Sequence, residues 1–256
     1  MEEYPEQSPA KKPSLIIGRQ PVIEAMESGR AIDKILLQAG VTGDNIGRIR
    51  HLAREHAIPI QSVPAPKLLS LTRSNHQGCI AYAALIPYVE LQQIIDETLS
   101  KGELPLLLMI DGITDVRNIG GMARTALCCG AQAIIIPDKG VGALNEEALK
   151  ASAGALEKLQ ICRVGSLLKA IDELHLNGIK VFVTGMKEEK SLFEVDFKEP
   201  CCIVMGSESK GVQTYISKAA DERFSIPMAG DFDSFNVSVA TGIILFEALK
   251  QRRFNA

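Results

Sequence analysis

The sequence has 256 residues, 46% of them hydrophobic, which is enough to bury the core of one large or two small domains. Its net charge is −3, and dividing it at residue 104 leaves eleven Lys/Arg against twelve Asp/Glu before that point and seventeen against nineteen after it. Neither half is a basic tail, so an RNA reader here has to use a local patch rather than bulk charge.

Residues 1–14 are polar and rich in proline, which reads as a disordered leader and not as a signal peptide. A compact α/β pattern follows over residues 15–87, with a helix at Pro21–Ser28, a strand at Ile32–Leu37, a helix at Asp44–His56 and strands at Ile58–Val63 and Gly78–Leu85. Residues 88–103 form a linker whose amphipathic helix, Leu91–Glu103, stops at Lys101-Gly102.

From residue 104 to 256 continuous apolar strands alternate with helical patterns: Pro105–Asp111, Ala131–Pro137, Lys180–Val183, Cys201–Met205 and Phe224–Pro227. Strands apolar on both faces and separated by helices predict a parallel sheet covered on both sides. The last helix, Val237–Arg253, carries an apolar stripe through Val239, Ile243, Phe246 and Leu249, directed at the sheet or a partner subunit. Ligands of open parallel sheets bind beyond the carboxyl ends of the strands, which singles out the segments after Asp111, Thr184, Gly206 and Pro227.

No apolar run approaches the roughly 20 residues of a membrane span, so the expected location is cytoplasmic. The six cysteines contain no C-x-x-C and the four histidines are scattered, so no metal site and no disulfide framework is expected. Gly206-Ser207-Glu208-Ser209-Lys210-Gly211 has the spacing of a phosphate loop, but Val212 and Gln213 replace its Lys and Ser/Thr. Gly140-Val141-Gly142 begins a dinucleotide fingerprint that ends in Asn145 instead of a third glycine.

Three segments remain. Asp111 to Ala126 reads as a strand end, a polar loop and a helix start, in which Asn118 can cap the helix and Gly120-Gly121 allow close approach. The second is Ile203 to Val212, and the third is Ile226 to Ala240. In this order and spacing they resemble the three motifs of the SpoU/TrmH-type RNA ribose methyltransferases of the SPOUT class. Gly18 to Ala25 and Asn75-His76-Gln77-Gly78 are similar to the signatures of that family's small substrate-binding domain, an L30e-like fold.

The resemblance implies an α/β parallel-sheet SPOUT domain with a deep carboxyl-terminal trefoil knot, preceded by the L30e-like domain. It implies transfer of a methyl group from S-adenosylmethionine to a ribose 2′-hydroxyl of RNA, most closely a guanosine of 23S rRNA, by a homodimer. The alternatives are a tRNA ribose methyltransferase and a non-catalytic RNA-binding relative; a nucleotide-cofactor enzyme is opposed by the failed glycine motifs.

By position, the catalytic set implied is Asn118, Arg124, Glu208, Ser234 and Asn236. Arg124 would stabilise the developing alkoxide and clamp phosphate, because a guanidinium does not act as a base near neutral pH, and Asn118 and Glu208 would orient it. The cofactor pocket maps to Thr184, Gly185, Met205, Gly206, Ile226, Met228 and Phe235. His76, Gln77 and Arg19 are the candidate RNA contacts, and Arg19, Arg48, Arg50, Arg54, Lys67 and Arg73 are candidates for a basic patch. The sequence departs from the family at Phe235, where Leu is common, in the acidic stretch Asp231–Asp233, and at Gln20 and Pro21.

Overall fold

The computed structural model describes residues 14–186, 188–230 and 234–254. The expected leader, apart from Ser14, and the stretch Asp231–Asp233 lie outside them. The chain divides into two compact units: Ile60–Leu85 with the residues before Ala53, and Ala53–Pro59 with the residues from Ile86 on.

The first unit holds β1 (Leu15–Ile17), α1 (Arg19–Glu27), β2 (Ile32–Gln38), α2 (Asp44–Glu55, which runs past its limit), β3 (Ile60–Val63), α3 (Ala65–Leu71) and β4 (Cys79–Ala83). Its sheet runs β1-β4-β2-β3, antiparallel except for the parallel β2–β3 pair. Leu36, Val63, Leu68 and Ile80 form a core against which Leu15, Leu71 and Tyr82 pack. β1 and α3 were not expected from the sequence: three apolar residues are too short to show a period, and Pro66 near the start of α3 reads as a breaker although proline is tolerated in a first helical turn.

In the second unit α4 (Leu91–Ser100) precedes β5 (Leu106–Asp111), α5 (Val116–Cys128), β6 (Ala133–Pro137), α6 (Glu146–Ser152), β7 (Gln160–Val164) and α7 (Leu167–Leu176). Then come β8 (Lys180–Thr184), β9 (Cys201–Gly206), α8 (Thr214–Ala219), β10 (Glu222–Phe224) and α9 (Val237–Arg253). The six strands form one parallel sheet, ordered β10-β8-β9-β5-β6-β7. Every residue of β5 is buried, as expected of a strand covered on both faces. Leu107, Met109, Val181 and Val204 pack with α4 and α7 on one face. On the other, α5 and α9 pack against each other and against the sheet.

The strand order reverses beside β5, since β6 and β7 lie on one side and β9, β8 and β10 on the other. Asp111 at the end of β5 is in register with Gly206 at the end of β9. This juxtaposition puts the loops after β5, β8 and β9 at a topological switch point, where open α/β sheets form crevices.

Two expectations need correction. Asn118 does not cap α5: Asp115 does, its carboxylate accepting from the Arg117 backbone N–H, because it stands directly before the first helical residue. The buried stripe of α9 is Val237, Thr241, Ile244, Leu245 and Ala248, whereas Val239 is 50% and Phe246 60% exposed. The helix is apolar nearly all round, so its period alone does not choose which side faces the sheet.

Candidate active site

Beyond the ends of β8, β9 and β10 lies a cavity of about 250 Å³. All seven residues proposed from the sequence for the cofactor, Thr184, Gly185, Met205, Gly206, Ile226, Met228 and Phe235, line it, and so does Ser234. They come from four separate segments. Val183, Val212 and Val237 add apolar wall, and Glu188, Glu208 and Lys210 bring charge.

The wall is built from backbone at close quarters. A Cβ on Gly206 would stand 2.1 Å from both Gly211 C and Val212 N, so only glycine lets the 207–211 loop fold back onto the end of β9. A Cβ on Gly120 would meet Ala148 O at 2.6 Å, which explains why α5 and α6 can pack as tightly as they do.

Asp111, 1% exposed, fixes the far end of that loop. Its Oδ2 accepts from the Gln213 backbone N–H at 2.7 Å and its Oδ1 from Gln213 Nε2 at 2.5 Å. Gln213 is the residue before α8, so one buried carboxylate ties β5 to the start of α8 and sets where residues 207–212 run. In the sequence Asp111 reads as a strand end, and its signal as a site residue is a carboxylate closing an otherwise apolar buried strand.

At the rim, three polar side chains from the three motif segments meet. Asn236 Nδ2 donates to Glu208 Oε1 at 2.8 Å and to Asn118 Oδ1 at 3.1 Å, while Asn118 Nδ2 donates to the same Glu208 oxygen at 3.2 Å. The Val237 backbone N–H also approaches Glu208 Oε1, at 3.4 Å. Asn236 is the cap of α9 as well, its Oδ1 accepting from Ser238 N at 3.0 Å. A second cavity of about 480 Å³, lined by Asp111, Thr114, Asp115, Asn118 and Ser209, shares Glu208 and Lys210 with the first.

Arg124 is not part of this cluster. It is exposed, and among the described residues no hydrogen bond or ion pair holds it. Among the described residues no hydrogen bond joins it to Asn118 or Glu208: six residues along a helix turn the side chain about 240° from Asn118 and move it ~9 Å along the axis. Ser234 is exposed at the cavity, and Phe235 is 39% exposed there. Glu188, which no sequence motif singles out, folds over Gly185, where a Cβ would come within 2.4 Å of its Oε1.

In the first unit Arg19, His76 and Gln77 come together. Arg19 Nε donates to Gln77 O at 2.8 Å, and His76 Nδ1 accepts from Gly78 N at 3.0 Å. An accepting Nδ1 puts the proton of the neutral ring on Nε2. Of the proposed basic patch, Arg48 is paired with Glu27.

Among the described residues no group of three or more His, Cys, Asp or Glu could hold a metal ion. Burial pushes the thiols of Cys79 and Cys162 up to about 12 and that of Cys201 to about 11, so none supplies a thiolate. No helix of the described residues is long and apolar enough to cross a membrane.

Residues 105–246 match the model of the SpoU rRNA Methylase family, and residues 15–89 match that for RNA 2′-O ribose methyltransferase substrate binding. A protein of Staphylococcus saprophyticus named for the TrmH family of tRNA/rRNA methyltransferases is 34% identical over 240 residues, 94% of this chain and 96% of that one. Among solved structures, the SpoU methyltransferase AviRb from Streptomyces viridochromogenes, in complex with the cofactor AdoMet, superposes with a TM-score of 0.58 at 25% identity. That match covers 93% of this chain and 90% of AviRb. The A. aeolicus TrmH/SpoU tRNA modifying enzyme gives 0.54 at 27% identity, over 63% of this chain and 86% of its own.

Proposed function

Since the chain belongs to the SpoU rRNA Methylase family, we propose that it methylates the ribose 2′-hydroxyl of a guanosine in 23S rRNA. At the coarser level it is an RNA 2′-O-ribose methyltransferase that uses S-adenosylmethionine. The observation that carries the reading is the convergence of three distant segments, around Asn118, Glu208 and Asn236, beside a cavity lined by all seven proposed cofactor residues.

The residues present fit the cofactor. Met205, Ile226, Met228 and Phe235 offer apolar surface to an adenine plane, while the peptide groups around Gly185 and Gly206 offer donors and acceptors to its edge. Glu188 supplies negative charge to a ligand that carries a sulfonium and an ammonium. When bound, S-adenosylmethionine supplies an electrophilic methyl group.

The chain's own residues do the rest. The loop held by Asp111 and Gly206 shapes both cavities, so that a ribose in the polar one faces the cofactor cavity across Glu208. Positioning of this kind is worth roughly 7–11 kcal/mol in ideal cases. Ser234 donates to or accepts from the sugar. Arg124, exposed and without a hydrogen-bond or ion-pair partner among the described residues, clamps an RNA phosphate and offsets negative charge. Arg19, His76 and Gln77 form the RNA-facing end of residues 15–87, which we take as the L30e-like domain, with residues 104–256 as the knotted SPOUT domain. The exposed apolar side chains of Val239 and Phe246 on α9 suit a homodimer contact. The enzyme acts in the cytoplasm.

A second reading, a tRNA ribose methyltransferase, is favoured by the likeness to the A. aeolicus tRNA modifying enzyme. The rRNA reading rests on the two-part layout, which that shorter match does not span. Ribose-methylation maps of rRNA and tRNA from a deletion strain and its parent separate them. Loss of one 2′-O-methylguanosine from 23S rRNA is expected; an unchanged rRNA map with a lost tRNA mark would replace the first reading with the second.

A further inference from the structure

All three N–H groups that reach the Glu208 carboxylate go to one oxygen, Oε1. Among the described residues none reaches Oε2. Donors gathered on one side fix the carboxylate plane and leave the lone pairs of the other oxygen for a further donor. Glu208 also lines both cavities.

The other carboxylates at the site are committed elsewhere. Both oxygens of Asp111 accept from Gln213. Both oxygens of Asp115 accept from Arg117. Glu188 lines the cofactor cavity but not the polar one. Lys210, the other charged side chain common to both cavities, is a donor only as an ammonium, and the Arg124 guanidinium does not accept a proton. Glu208, which lines both cavities, is thus held through one carboxylate oxygen and, among the described residues, keeps the other unengaged.

We propose that Glu208, in addition to holding the motif segments together, is the proton acceptor of the reaction, a role that rests on the methyl-transfer reading above. The ribose O–H bond breaks and its proton goes to Oε2. The electron pair left on the oxygen forms the bond to the methyl carbon, and the carbon–sulfur bond breaks with its pair remaining on sulfur. The positive charge of the sulfonium and the negative charge of the carboxylate disappear together, leaving a neutral thioether and a neutral acid that returns its proton to water.

The test is Glu208→Gln beside Glu208→Ala, with S-adenosylmethionine affinity measured by calorimetry and methyl transfer to RNA by single-turnover kinetics. Gln keeps an oxygen for the three N–H groups and replaces Oε2 with an amide that cannot accept a proton. The expected result is cofactor affinity within about threefold of wild type and a transfer rate lower by roughly 10²–10⁴-fold. Glu208→Ala, which also dissolves the cluster, is expected to lose both. A loss in Glu208→Gln of less than about 10²-fold, or a cofactor affinity that collapses with the charge, would overturn the proposal and leave Glu208 a positioning residue. A wild-type protein that moves no methyl group to RNA would overturn the methyl-transfer reading as well, so the two failures are distinct.

Discussion

Replacing Asp111 with Ala removes the one buried carboxylate that fixes the loop between β9 and α8. Two hydrogen bonds to a charged group are lost, at 2.7 and 2.5 Å, each worth about 1.5–3 kcal/mol. Against this stands relief of the cost of burying a carboxylate that is 1% exposed, so the net loss is about 2–4 kcal/mol. At about 2–4 °C per kcal/mol for a chain of this size, thermal unfolding should shift down by roughly 5–15 °C. Asp111→Asn should cost only about 1 kcal/mol, because the Gln213 amide can turn to accept from the new NH₂ group while the carbonyl keeps the backbone N–H. Cofactor affinity is the second readout, since the loop forms a wall of the cavity: at least a tenfold loss is expected for Ala, equivalent to about 1.4 kcal/mol. An Ala variant within about 0.5 kcal/mol of wild type and with unchanged S-adenosylmethionine binding would refute the idea that Asp111 sets the loop.

Arg252 in the last turn of α9 donates to four carbonyls, those of Leu104, Pro105, Phe197 and Glu199, at 2.7–2.9 Å. Arg252→Ala should cost about 2–4 kcal/mol in denaturant unfolding, and Lys should recover little, because one ammonium cannot span the fan of acceptors. Of the six cysteines, Cys128 is exposed and the other five are buried. Titration with a thiol reagent should therefore find one fast-reacting group in the native protein and six in denaturant; two or more fast groups would contradict the packing of β4, β7, β9 or the end of α5.

Much of the sheet was legible because its chemistry is uniform. β5, β6 and β9 are apolar on both faces, and no other element tolerates such runs between helical patterns. β7 escaped because Gln160 and Arg163 break a five-residue strand. Pro227 and Ile226 drew the last strand towards the cavity, whereas β10 ends at Phe224 and the apolar residues after it line the pocket instead. At the site, residue types and order were sufficient to find Asn118, Glu208 and Asn236, but not what each does. Asn118 suggested a cap because asparagine favours caps, yet Asp115 holds that position and frees the amide for Glu208. No sequence pattern carries the separation of Arg124 from the cluster, or the convergence of all three donors on one carboxylate oxygen. Those facts depend on helix phase and on contacts 28 to 118 residues apart in the chain.

The central claim is methylation of a ribose hydroxyl in RNA. It is tested most directly by incubating the purified protein with methyl-labelled S-adenosylmethionine and, separately, rRNA and tRNA from a strain lacking it, then digesting each RNA with alkali. Alkali cleaves RNA through the free 2′-hydroxyl, so a methyl group on that oxygen protects its linkage. Label recovered in alkali-resistant dinucleotides is the predicted result. Label recovered only in mononucleotides, or no incorporation into either rRNA or tRNA, would contradict the account.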